Sequence, residues 1–169
     1  TENSIPYGDF LQRILVRFAP TVYIHSQMVG FAAQALCESI LADEPNFFDD
    51  IPFLRDIADP NQKRQAALDY AMDCGAFHDV GKINFIELYS RTARQWFETA
   101  RLHTVAGEMM LSERASTQRF AAAALGHHAW YDGSRGYPES YQRLECPQRQ
   151  MVDVISLIDW LEDVTHATR

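Results

Sequence analysis

The chain has 169 residues, enough for one domain with a sizeable core and no need of covalent staples. Apolar residues make up 47% and charged residues 22%, the balance of an ordinary globular domain. The net charge of −8 argues against a surface for long nucleic acid, which needs a basic patch, but it permits a small anionic substrate met by a bound cation.

Helical periodicity runs through the chain. The first predicted helix is Phe10–Phe18, stopped near Pro20. The second runs from Val22 to about Leu41, with Met28, Val29, Ala32, Ala35 and Leu36 on one side and His25 beside them. Residues 43–62 hold Asp, Pro, Asn and paired Phe, the composition of a loop or short helical insertion. Arg64–Asp79 reads as a helix ending at Gly81, Ala93–Leu111 as another, and Phe120–His128 as an Ala-rich one that lets neighbours pack closely. Residues 132–147 read as loop, and Gln150–Val164 is apolar on most sides, the mark of a buried helix. No segment alternates with period two and no repeat is present, so the expected fold is all-α, a compact helical bundle in a single domain over residues 1–169.

No apolar run reaches the roughly 20 residues of a membrane span, and no signal-peptide pattern opens the chain. Cys37, Cys74 and Cys146 are scattered without Cys-x-x-Cys spacing, which fits free thiols in a reducing cytoplasm. The chain opens on Thr1 and stops on Arg169 inside a helical pattern, as an excised piece of a longer protein with regulatory domains elsewhere would.

Five of the six histidines fall where helical geometry could gather them. His78-Asp79 closes a helix of Ala, Leu, Cys and Phe; a carboxylate buried there needs a partner, and a divalent metal serves both residues. A cap or salt bridge would serve as well. Lys82 follows Asp79 by three and can share its face, which makes sense where a phosphate is held. His127-His128 are consecutive, so two metals about 3.5–4 Å apart could take one ring each. Asp159 sits between Ile158 and Trp160 in the most apolar helix and also needs a partner. His166, Asp153 and Asp163 read as surface residues. Neutral imidazoles mixed with carboxylates suit Fe, Mn, Zn or Ni better than Mg or Ca.

The pattern resembles the HD-GYP domain, a subgroup of the HD phosphohydrolases. The resemblance rests on His25, FHDVGKI at 77–83, His103 in LHTVAGEMML, HHAWYDGSRGYP at 127–138, and Asp159 in LIDWLEDVT. It implies a binuclear centre, with iron or manganese common, held by His25, His78, a bridging Asp79, His103, His127, His128 and Asp159. It also implies a catalytic role for Asp79 and Lys82, with Lys82 on the scissile phosphate and Gly136, Tyr137 and Pro138 shaping the substrate side. The implied activity is a metal-dependent phosphodiesterase that opens cyclic di-GMP to pGpG and onward to GMP, with a metal-bridging hydroxide as nucleophile. Two alternatives stand beside it: an HD phosphohydrolase acting on another nucleotide or phosphoester, and a binding or scaffold module without turnover. The chain departs from the family in the segment between Lys82 and His103, which is shorter and lacks the usual Pro-containing stretch, in the residues beyond Asp159, where Arg169 is displaced by one, and at three places nearer the motifs. Ala129 stands where a Glu is usual, Ser134-Arg135 add one residue before Gly136, and Thr21 stands where trinuclear members carry a Glu. Two metals, not three, are expected.

Overall fold

The computed structural model describes residues 6–90 and 100–166, apart from the side chains of 86–90 and 166, and every regular element among them is helical. The protein is all-α, as expected. Helices α1 (Tyr7–Phe18) and α2 (Pro20–Asp43) are separated by Ala19 alone. Pro20 therefore does more than stop the first helix: with φ preset and no N–H to leave unpaired, it begins the second. A short α3 (Pro52–Arg55) interrupts the loop that follows. Helix α4 (Pro60–Phe77) starts a turn earlier than predicted, because Pro60 takes its first position and the Asp59 carboxylate accepts the Gln62 N–H at 2.8 Å.

A 3-10 stretch (Val80–Ser90) continues from α4, followed by α5 (His103–Ser112), α6 (Ala115–Gln118) and α7 (Ala121–Gly126). A 3-10 turn (Arg143–Glu145) and α8 (Arg149–His166) complete the described order. The helix expected over Ala93–Leu111 falls partly on residues 91–99, which lie outside the described residues; regular α-helix is present from His103.

Helix α2 packs most extensively on α4, and α8 crosses α2. The α2–α4 crossing is backbone against backbone: a Cβ added to Gly75 would lie 2.4 Å from the N and Cα of Gly30. That approach turns the stripe Val22, Ser26, Val29, Ala33, Cys37 and Leu41 inward. The predicted apolar side is thus corrected. Val29 is buried, but Met28 is 40% exposed and Ala32 and Ala35 face outward, because the Gly30–Gly75 contact sets which face of α2 meets α4.

Helix α8 is also less buried than its sequence suggests. Met151, Val152, Val154, Ile155 and Ile158 enter the core, whereas Leu157, Trp160, Leu161 and Val164 stay exposed, Trp160 by 61%. The core itself joins α1, α2, α4, α5 and α8 through Leu15, Val29, Tyr70, Cys74, Leu111 and Ile155. No helix among the described residues is long and apolar enough to cross a membrane.

Candidate metal centre

The helix crossing delivers the first two histidines. His25 lies five residues before Gly30 and His78 three after Gly75, which leaves their ring centroids 5.2 Å apart. His78 caps α4, and Asp79 follows at the turn into the 3-10 stretch. Gly81 then lets α5 approach: an added Cβ would fall 1.9 Å from the His103 carbonyl oxygen and 2.5 Å from the Gly107 nitrogen. With glycine there, the first turn of α5 rests on the His78-Asp79 turn and brings His103 with it. His127 is the residue that ends α7, so His128 leaves the helix and both rings reach one place, centroids 4.2 Å apart. Asp159 projects from α8.

All seven residues singled out as ligands therefore converge, and Asp79 lies among them. Its Oδ1 is 3.2 Å from His103 Nε2 and 3.7 Å from His127 Nε2. Its Oδ2 is 3.6 Å from His25 Nε2 and 3.5 Å from His78 Nε2. Asp159 places Oδ1 2.9 Å from His25 Nε2 and 3.3 Å from His78 Nε2, with Oδ2 4.0 Å from His128 Nδ1.

Hydrogen bonds to backbone fix the tautomers. His78 Nδ1 donates to the Gly75 carbonyl at 2.7 Å, His103 Nδ1 to Ala100, and His127 Nδ1 to Ala123 and Ala124 at 3.1 and 3.0 Å. A carbonyl only accepts, so in each neutral ring Nδ1 carries the proton and Nε2 presents a lone pair. Those lone pairs face other acceptors. His103 Nε2 and His127 Nε2 stand 3.1 Å apart. His78 Nε2 and Asp79 Oδ1 are buried without a hydrogen bond of good geometry, although Asp159 Oδ1 lies 3.3 Å from the first and His103 Nε2 3.2 Å from the second. Buried acceptors facing one another cost several kcal/mol unless a cation enters between them. The donor set fits a divalent metal. Three groups, His25/His78/Asp79, His78/His127/Asp159 and His103/His127/His128, each offer ligand atoms within 4.8 Å of one another.

Protonation follows the same charges. Burial pushes His127 down to about 4, its Asp79 contact notwithstanding, and burial beside His127 pushes His128 down to about 2. Burial opposes the ionised forms of Asp79 and Asp159, yet Lys82 and His78 hold Asp79 well below the usual carboxylate range. His25 and His78 do the same for Asp159. Burial also opposes the His25 cation, but the Asp159 hydrogen bond, the Asp79 charge and Glu162 lift it to about 9. Burial opposes the His78 cation too, but Asp79 and Asp159 raise its pKa, so without a metal protons on His25 and His78 balance part of the carboxylate charge.

Lys82 places Nζ 2.5 Å from Asp79 Oδ2 with its side chain 27% exposed, so it sits at the edge of the centre. The 132–138 loop forms a wall. Gly136 has φ +95°, and a Cβ there would fall 2.2 Å from the His128 carbonyl oxygen. Through that turn Tyr137 lies over His128, centroids 4.6 Å apart, and meets His103 edge-on at 6.2 Å. Pro138 is half-buried behind it. Asp132 accepts from the Ser134 N–H and hydroxyl and so braces the loop.

Some surface expectations change. Asp153 is paired with Arg143 through two nitrogens and is only half-exposed, a correction to its reading as a solvated side chain. Asp163 is exposed, and Thr21 is exposed on the first turn of α2. The His166 side chain lies outside the described residues. Sequence reasoning missed Glu162, whose Oε2 is 2.6 Å from His25 Nδ1; the signal available was its position three residues after Asp159. It also missed Arg101, whose guanidinium lies 5.4 Å from the Tyr137 ring centroid. A groove of about 590 Å3, lined by His127, His128, Asp159, Trp130, Leu157 and Trp160 among others, opens directly on the centre and was not foreseen either.

An all-helical chain that gathers five histidines and two aspartates at helix ends and crossings is of the metal-binding helical-bundle class. The HD domain family matches residues 22–162, and the chain belongs to that family, a superfamily of metal-dependent hydrolases. Neither the comparison with curated proteins nor that with solved structures returned a match.

Proposed function

We propose that the chain is a cyclic-dinucleotide phosphodiesterase of the HD-GYP type, opening cyclic di-GMP to pGpG and onward to GMP. The observation that carries this reading is the division of Asp79: one oxygen faces His103 and His127, the other His25 and His78. Two ions, iron or manganese by the mixed donor set, would be held by His25, His78, Asp79 and Asp159 on one side, and by Asp79, His103, His127 and His128 on the other. Such ions supply Lewis-acid charge to the phosphoryl group and make water nucleophilic at neutral pH.

The remaining chemistry belongs to the chain. Asp79 and Asp159 stay ionised, and His127 and His128 stay neutral at pH 7, the forms in which these groups bind cations. Lys82 stands where it can leave Asp79 to meet a phosphate oxygen entering from solvent. Gly136, Tyr137 and Pro138 wall the approach. The groove with Trp130 and Trp160 offers aromatic faces on which nucleobases stack, each worth about 1–3 kcal/mol. The partner is a small anionic nucleotide.

A second reading, an HD phosphohydrolase acting on another nucleotide or phosphoester, is favoured by Ala129. It bridges Gly136 at the base of a loop one residue longer than the resemblance implies, so the substrate wall differs there. The deciding experiment purifies the protein without oxygen, counts its metals by elemental analysis, and screens turnover over cyclic dinucleotides, mononucleotides and simple phosphomonoesters. Two ions per chain and production of pGpG are expected. A metal-replete protein that cleaves phosphomonoesters or mononucleotides readily and leaves cyclic dinucleotides intact would replace the first reading with the second.

A further inference from the structure

His25 is held differently from the histidines around it. His78, His103 and His127 each give their Nδ1–H to a backbone carbonyl three or four residues earlier in the same segment. They can do so because they stand at helix ends, where carbonyls or ring positions escape the regular ladder. His25 lies inside α2, where the preceding carbonyls serve the helix. Its ring needs an acceptor from elsewhere, and α8 provides it. Asp159 and Glu162 are three residues apart on one face of α8, and the first takes Nε2 at 2.9 Å while the second takes Nδ1 at 2.6 Å. The Glu162 side chain is only 14% exposed, so water competes weakly for that bond.

We infer that Glu162 is a positioning residue, which fixes the His25 tautomer and sets the cation affinity of the His25 side of the centre. The inference rests on the metal-centre reading above. With Nδ1–H donated to Glu162, Nε2 faces Asp79 and Asp159, and a cation entering there replaces the Nε2 proton that Asp159 otherwise accepts and takes up the freed lone pair. A carboxylate acceptor also makes the imidazole a stronger donor to a metal than a carbonyl acceptor does. The other side of the centre, built on His103, His127 and His128, has no carboxylate in that role among the contacts described here.

The test titrates the metal-free full chain with Mn2+ and reads the number of tight ions and their affinities for wild type, Glu162→Gln, Glu162→Ala, His25→Ala and the double variant His25→Ala/Glu162→Ala. In Glu162→Ala one ion should bind about 10–100-fold more weakly while the other is unchanged, the scale on which such supporting partners act. Glu162→Gln, which keeps an acceptor and drops the charge, should fall between. In the His25→Ala background the second substitution should change nothing further, because its effect passes through His25. Metal-free Glu162→Ala should still unfold cooperatively, its melting temperature only a few degrees below wild type for the lost bond to the His25 cation. Unchanged binding of both ions in Glu162→Ala overturns the inference, and so does a loss that adds in full to that of His25→Ala. A wild-type chain that takes up no Mn2+ removes the metal-centre reading itself, and the inference with it, an outcome distinct from both.

Discussion

The two sides of Asp79 are built in different ways. His25, His78 and Asp159 come from α2, α4 and α8, helices of 24, 18 and 18 residues, the first two crossing at Gly30 against Gly75. His103, His127 and His128 come from the ends of α5 and α7, of 10 and 6 residues, and are covered by the Tyr137 loop. The first side inherits its geometry from the core: shift the crossing and the whole bundle feels it. The second side depends on one close approach, Gly81 on the first turn of α5, and on ring packing among His103, His127, His128 and Tyr137. A centre made this way has a side that is hard to alter without unfolding the chain and a side that can change shape locally. The substrate wall is on the second.

The largest effect belongs to the residue common to both sides. Asp79→Ala should lose both ions and drop turnover to background, read by elemental analysis and by rate. Retention of one ion would mean that the sides are independent and that Asp79 serves only one of them. Next comes Lys82, which touches Asp79 but is proposed to act on phosphate. Lys82→Ala should keep both ions and lose on the order of 10²–10³-fold in turnover, as when one pre-organised charge-stabilising donor is deleted. A metal-replete, fully active Lys82→Ala protein would reduce this lysine to a counter-ion.

The glycine pair separates the sides directly. Gly75→Ala drives a methyl into the Gly30 backbone and should cost about 1–3 kcal/mol of stability. For a chain of this size that lowers the melting temperature by roughly 2–12 °C. Gly81→Ala meets the His103 carbonyl instead, and should weaken the ion on the His103 side more than it lowers the melting temperature. Equal thermal losses with equal metal losses in the two variants would erase the distinction.

The same contrast explains what could be read in advance. Adjacent letters marked His78-Asp79 and His127-His128, and apolar neighbours marked Asp159, whereas His25 and His103 read as ordinary histidines on their own and joined the group only through the family resemblance. The helical class was legible from periodicity alone. The buried face of α2 was not, since helical spacing of apolar residues pointed to Met28, Ala32 and Ala35 whereas the Gly30–Gly75 contact, invisible in one segment, turns Ala33 and Cys37 inward. Helix α8 misled in the same way: Leu157, Trp160 and Leu161 look like core letters but line the groove side and solvent. Glu162 looks like a surface charge until α2 is laid against α8, and only then does it acquire His25 as a partner.

The smallest expected effect uses the cysteines as local reporters. Cys37 and Cys74 are fully buried where α2 meets α4, while Cys146 is half-buried beside the loop that follows Tyr137. Alkylation needs both access and thiolate. Burial pushes the Cys37 thiol up to about 12 and raises that of Cys74 as well, so the thiolate fraction of either near pH 8 is very small. The sign is fixed: a raised thiol pKa slows reaction at any pH below it, and reaction speeds up as pH approaches it. Iodoacetamide at pH 8 should therefore modify Cys146 first, with Cys37 and Cys74 reacting only as fast as the α2–α4 crossing opens. Peptide mass spectrometry over time reads all three. Gly75→Ala should accelerate Cys37 and Cys74 and leave Cys146 unchanged, because the strain sits at the crossing. If Cys37 is modified as fast as Cys146 in the wild-type protein, the long-helix side opens as freely as the loop side, and the proposed difference in rigidity between the two halves of the centre is wrong.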